Sequence, residues 1–274
     1  MSEPEGRARL SLNQITTRGW SVGEAVAGCR RFGIDWVGLW RDKVAEFDLD
    51  AAVRSLRAHS MRVSSLCRAG FFAAATEADR ERRRADNRAA VDEAVALGTE
   101  VLVLVCGGLG GVDLDRARQM VVDGVEDLAP YAATHGVRLA IEPLHPMFCA
   151  DRSVIVTLDQ ALDLAERFPP EHVGVMVDTF HVWWDPGVYR AIERAGERIL
   201  GFQVGDWLDP PPDVLLGRGM MGDGPIELRR LREAVDAAGY DGPIEVEIFN
   251  ADVWAAPGER VLEQVRDRYV THVA

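Results

Sequence analysis

One theme recurs eight times along the 274 residues: a short β-rich segment, then an amphipathic stretch opening on a helix-start signal. The segments that read as strands are Leu10 to Thr16, Trp36 to Trp40, Arg62 to Arg68, Val101 to Gly107, Val137 to Glu142, Val173 to Asp178, Ile199 to Asp206 and Pro243 to Phe249. Several are almost uninterrupted apolar runs, Val101-Leu-Val-Leu-Val-Cys106 being the plainest, as expected of parallel strands covered on both faces. Ser21-x-x-Glu24 and Thr157-x-x-Gln160 read as capping boxes, and Pro225 and Pro257 fall where a first-turn proline is tolerated. Gly33, Gly98, Gly136 and Gly239 each stand between a helical stretch and the next strand, where a left-handed cap is wanted. Eight strand-then-helix units with short connections close most economically into a single α/β domain, a (β/α)8 TIM barrel over 1–274 with residues 1–9 as an N-terminal tail. A doubly wound open sheet is the other arrangement. Against it, Thr16-Thr-Arg-Gly-Trp20 after the first strand lacks the G-x-G-x-x-G that cradles a dinucleotide. The longest irregular stretch, Leu208 to Gly224, carries Pro210-Pro-Pro212 and four glycines, and a loop that long in a compact domain is more often functional than idle.

Charge and rare residues exclude several classes of function. Lys and Arg total 31 against 44 Asp and Glu, a formal charge of −13, and so acidic a chain repels polyphosphate unless it hides a basic groove. Lys43 is the only lysine, which excludes Schiff-base chemistry at any other position. Cys29, Cys67, Cys106 and Cys149 are scattered singly, suggesting neither a zinc ribbon nor a disulfide framework and fitting a reducing cytosol. The acidic first residues lack the basic flank and apolar stretch of a signal peptide, and no apolar run of ~18 residues appears, so the expectation is a soluble cytoplasmic protein with no membrane partner.

In such a barrel, chemistry belongs at the C-terminal ends of the strands. There the sequence places Glu142-Pro-Leu-His145, Asp178-Thr-Phe-His181, Gln203-Val-Gly-Asp206 and Glu245-Val-Glu247. Each residue has a plain structural reading: Glu142 as an acceptor for a loop, Asp178 as an Asx turn, His145 and His181 as hydrogen-bonded histidines, Asp223 as a turn or cap. Acidic residues after apolar strands at three C-terminal edges are harder to dismiss. Carboxylates gathered near one axis raise each other's pKa unless something cationic sits among them, and a divalent ion is the simplest such group. Six of the seven tryptophans, Trp20, Trp40, Trp183, Trp184, Trp207 and Trp254, fall at or after strand ends, where their rings either cover a small polyol, Trp183 being the one expected to contact it, or pack loops over the barrel mouth. For a phosphate, Arg68, Arg152 and Arg218 are the available cations, but no helix start offers a glycine-rich nest.

These motifs resemble the sugar phosphate isomerase/epimerase family of the xylose-isomerase-like TIM barrels. The resemblance runs over essentially the whole chain and is densest from Leu139 to Asn250, through Ile-Glu142-Pro-Leu, Val-Asp178-Thr-Phe-His181, Gln203-x-x-Asp206, Arg218-Gly-x-x-Gly222-Asp-Gly224 and Glu245-Val-Glu247-Ile-Phe. It implies that Glu142, Asp178 and Glu247 are metal ligands, that Glu142 and Glu247 double as an acid/base pair, and that His181 and Arg218 contact the substrate; His145 and Asp206, on the same rim, are further expected substrate contacts. The fourth family ligand, usually histidine, is Gln203 here. An amide oxygen can still coordinate, and an all-oxygen set favours Mn²⁺ or Mg²⁺ over Zn²⁺.

The implied activity is a metal-dependent isomerase or epimerase on a small sugar, ketose or polyol, through an enediolate. A dehydratase on a keto-polyol uses the same site, and a non-catalytic sugar-binding relative is the reading that Gln203 favours. The family's apurinic-site nucleases use a histidine-rich metal cluster, for which six histidines and a charge of −13 are a poor match, so nucleic acid is not expected as a partner. Related barrels often form dimers or tetramers, and the chain carries no interface signature of its own.

Overall fold

The computed structural model describes residues 8–274. The eight apolar runs become β1 (Leu10–Asn13), β2 (Trp36–Trp40), β3 (Arg62–Gly70), β4 (Val101–Val105), β5 (Arg138–Glu142), β6 (Val173–Asp178), β7 (Ile199–Val204) and β10 (Ile244–Val246). All neighbours pair in parallel and the sheet closes, β10 lying between β7 and β1. Because every strand runs the same way, all eight C-terminal ends share one rim. The main apolar core lies between strands and helices, and a smaller cluster of Cys67, Val101, Val103, Ala140, Met176 and Leu200 forms a second.

Between β2 and β3 the chain inserts α2 (Arg41–Phe47) and α3 (Leu49–Ala58), following α1 (Val22–Arg31). The long helices α4 (Glu77–Leu97) and α5 (Leu114–Thr134) cover β3 to β5, and α6 (Leu158–Ala165), a short α7 (Thr179–Val182) and α8 (Val188–Ala195) follow β5 and β6. After β7 come α9 (Leu228–Ala237) and, beyond β10, α10 (Ala251–Ala255) and α11 (Gly258–His272). Among the described residues no helix is long and apolar enough to cross a membrane.

The local signals mostly act as read. Ser21 and Glu24 close both halves of a capping box at α1. Thr157 accepts from Gln160 N–H, but the Gln160 side chain accepts from Val156 N–H, so that cap is not reciprocal. Gly98 ends α4 at φ 74°, and Gly33, Gly136 and Gly239 also take positive φ. Pro257 caps α11, whereas Pro225 lies ahead of the α9 cap, Glu227.

Most strands differ from the sequence reading by one to three residues at an end, β10 ending at Val246 rather than Phe249, and three differences affect the site or the tail. The first strand stops at Asn13, whose side chain accepts from Ile15 N–H and turns the chain into a 3-10 helix over Gln14–Thr17. The seventh stops at Val204, and Asp206–Trp207 leaves the barrel as β8, antiparallel to β9 (Arg218–Gly219). Most of the expected N-terminal tail lies outside the described residues, but Arg9, counted within it, is tied to Gly242 O, Tyr240 O and Asp236.

Candidate active site

Register brings the polar strand residues together. Asp178 on β6 pairs with Gln203 on β7, and Gln203 pairs with Glu245 on β10, so the three stand side by side. Glu245 is buried and accepts from Ser64 (2.7 Å), Ser65 (2.6 Å), Asn13 (3.0 Å) and Gln203 Nε2 (3.1 Å). Gly38 makes space for it, because a Cβ there would lie 2.6 Å from the Glu245 carboxylate. With Gln203 Nε2 donated to Glu245, its Oε1 is buried without a hydrogen-bond partner.

The loop after β7 delivers Arg218 into this group. Asp206 pins that loop, accepting from the backbone N–H groups of Trp207, Gly222 and Ile226. Asn250 Nδ2 donates to Arg218 O (2.9 Å). The buried Arg218 guanidinium reaches Asp178 Oδ2 (2.7 Å) and Glu247 Oε2 (3.0 Å) and lies over the rings of Phe180 and Phe249. Burial works against its charge, but Asp178 and Glu247 outweigh this and raise its pKa.

Arg218 therefore supplies part of the counter-charge that the sequence reading gave to an ion. Among the described Asp, Glu, His and Cys side chains, ligand atoms of Glu142, Asp178 and His181 lie within 4.8 Å of one another, while Glu247 is paired with Arg218 and the Gln203 amide nitrogen with Glu245. One guanidinium does not balance the group. Glu142, Asp178, Glu245 and Glu247 are all buried, and the Glu142 carboxylate makes no hydrogen bond among the described residues. Burial, then Glu247 and Asp178, raise the Glu142 pKa well above the carboxylate range; burial pushes Glu247 up to about 8 despite Arg218. Surplus negative charge, an unpartnered carboxylate and an orphaned amide oxygen are what a hard divalent cation would satisfy, so the residues fit such an ion.

His181 is held neutral, its pKa driven well below the usual histidine value by burial and then by Arg218. Its Nδ1 faces His145 N–H (3.1 Å) and its Nε2 faces Arg218 Nη2 (3.1 Å). A neutral ring has one proton, so one of these contacts sets donor against donor. An oxygen arriving between ring and guanidinium would relieve it.

Above these groups lies a cleft of about 120 Å³ lined by Glu142, His181, Arg218 and Glu247 together with Arg68, Arg152 and aromatic rings. The other substrate residues expected from sequence do not line it. Asp206 is committed to backbone N–H groups, Trp183 packs against Trp207, and the His145 ring lies against Trp184 and Trp207. Of the tryptophans only Trp40 faces the cleft, and its walls are mainly phenylalanine, a contribution the sequence reading missed. Nothing in the spacing of Phe71, Phe148, Phe180 and Phe249 distinguishes them from core residues. A larger hollow of about 830 Å³ at the opposite mouth contains none of the site carboxylates.

A fold of this kind with carboxylates at the C-terminal rim defines a class, and comparison with known proteins agrees. The chain belongs to the family described as xylose isomerase-like TIM barrel, whose model matches residues 26–269. It is similar to protein SMc04130 from Sinorhizobium meliloti 1021, at 47% identity and TM-score 0.95 over 97% of this chain and 98% of that one. It is 34% identical over 166 residues to a 3-dehydroshikimate dehydratase of Pseudomonas aeruginosa, covering 59% of this chain; the chain spans about a quarter of that enzyme's length, 25%. An inosose isomerase of Bacillus velezensis is 21% identical across 94% of this chain and 95% of its own. The IOLI protein, whose structure has a binding zinc atom, shares the fold at TM-score 0.84 and 21% identity, over 97% of this chain and 98% of that one. Relatives in the family are thus enzymes, among them an isomerase and a dehydratase.

Proposed function

We propose that this protein is a divalent-metal-dependent enzyme that moves protons next to the carbonyl of a small sugar or polyol ketone, as an isomerase or epimerase. The observation that carries the reading is the imbalance of four buried carboxylates against one guanidinium, with Glu142 and the Gln203 amide oxygen unpartnered. Glu142, Asp178, Gln203 and Glu247 would hold the ion, Arg218 giving way to release Glu247. Their oxygen donors favour Mn²⁺ or Mg²⁺, although the IOLI relative holds zinc. When bound, the ion acts as a Lewis acid that polarises the substrate carbonyl and acidifies the adjacent C–H.

The chain's own residues do the rest. Glu142 and Glu247 are the acid/base pair: one takes the proton from carbon while the other, protonated, returns one. His181 meets a substrate oxygen, and Arg218, once released from Glu247, donates to the substrate as well. The phenyl walls cover C–H faces and exclude water.

A second reading has its own support in the 34% identity to a dehydratase. If a hydroxyl lies β to the carbonyl, the same pair removes the C–H proton and protonates the departing hydroxyl, which leaves as water with formation of a C=C bond. Incubation with Mn²⁺ in D₂O and either D-allulose, an inosose or 3-dehydroshikimate tests both. At least one should acquire deuterium α to its carbonyl or lose water, and Glu142→Gln and Glu247→Gln should each abolish this. Neither event for any of the three, with Mn²⁺ demonstrably bound, would contradict the proposal and favour a non-catalytic sugar-binding relative.

A further inference from the structure

The polar groups of the cleft fall into two sets. Glu142, Glu247, His181 and Arg218 are buried, whereas Arg68 and Arg152 reach solvent. In a chain of net charge −13, Arg68 has no carboxylate within ion-pair distance among the described residues. Arg152 has only its neighbour Asp151, at 3.7 Å and solvent-exposed. By contrast, Arg41 is shared between Asp86 and Glu93, and Arg194 among Asp159, Asp163 and Glu166.

Both guanidiniums lie beside aromatic rings: Arg68 is 4.1 Å over the Phe71 ring and Arg152 is 5.8 Å from that of Phe148. Stacking occupies the face of a guanidinium and leaves its N–H edge open, and that edge donates only. A neutral polyol, whose hydroxyls both donate and accept, does not call for two such groups. An anion does. Phenyl walls, which offer no hydrogen bond, suit the C–H faces of a flat ring more than an open chain of hydroxyls.

We propose that the substrate is a compact ring ketone bearing an acidic group, carboxylate or phosphate, and that Arg68 and Arg152 receive that group while the carbonyl end meets Glu142 and Glu247. The inference rests on the proton-transfer reading of the site. It is tested by titration calorimetry of the Mn²⁺-loaded full chain with 3-dehydroshikimate as a ring carboxylate, an inosose as a neutral ring ketone and D-fructose 6-phosphate as a phosphorylated sugar.

At least one acid should bind roughly tenfold or more tightly than the inosose. Arg68→Ala and Arg152→Ala should each weaken that binding about tenfold, the scale of a charge-assisted hydrogen bond, and weaken inosose binding far less. Preference for 3-dehydroshikimate identifies a ring carboxylate; preference for D-fructose 6-phosphate, whose ketone exists only in the open chain, would keep the anion site and overturn the ring-ketone assignment. Both side chains face solvent, and an unchanged thermal midpoint verifies folding. Inosose binding as tight as that of either acid, acid affinity untouched in both variants, or no binding of either acid would overturn the inference. Absence of Mn²⁺ uptake by the wild type contradicts the reading of the site instead, and the anion titration then decides this inference on the metal-free chain.

Discussion

Glu247 carries a consequence for stability that is separable from activity. Its folded pKa is about 8 against an ordinary 4.5, so between those values the folded chain holds a proton that the unfolded chain has lost. Stability from this group is complete below pH 4.5 and declines as pH rises to about 8. His181, lowered from 6.5, acts oppositely but only below that value, so from pH 7 to 8 the decline is unopposed by it. Urea unfolding in EDTA should show wild type losing on the order of 1 kcal/mol across that unit, and Glu247→Gln losing distinctly less. A wild-type curve that is flat or rising would show that Glu247 is already ionised in the metal-free fold. At this scale the position of Glu142, Asp178, Glu247 and His181 on one rim was legible, because each stands at or just past a strand end; that of Arg218 was not, because a loop brings it in. The positions of Asp206, Trp183 and His145 outside the cleft lining were not legible, because their orientation follows loop paths that strand spacing does not encode.

Among the elements, the segment from β8 through β9 decides whether Arg218 enters the barrel. Its length and glycines mark it as functional in the sequence, but its closure depends on Asp206 accepting three backbone N–H groups, Gly222 and Ile226 being 16 and 20 residues away. Asp206→Ala should cost roughly 1 to 3 kcal/mol in global stability, because the buried Ile226 N–H and the part-buried N–H groups of Trp207 and Gly222 lose their acceptor. It should also accelerate amide exchange at Gly222 and Ile226 before that of the barrel strands. Loss of activity with exchange at those amides unchanged would assign Asp206 to the substrate after all. The strands themselves were readable because burial on both faces demands continuous apolar runs; the separation of β8 from β7 was not, since Val204-Gly-Asp206 looks apolar enough to continue.

For the whole molecule, closure of the barrel gathers residues at or just past the ends of β5, β6, β7 and β10 that are spread over more than a hundred positions of sequence. The carboxylate cluster was therefore readable only once eight strand-and-helix units had been recognised. The missing counter-charge was read as an ion alone, because sequence order does not show that Arg218 folds back between Asp178 and Glu247. The most direct measurement is anomalous diffraction from a crystal soaked in Mn²⁺. One peak within coordination distance of Glu142, Asp178 and Gln203 Oε1, with Arg218 swung away and Glu247 joining the ion, is the predicted result. Arg218 still bridging Asp178 and Glu247 at saturating Mn²⁺, with no peak beside Glu142, would contradict it.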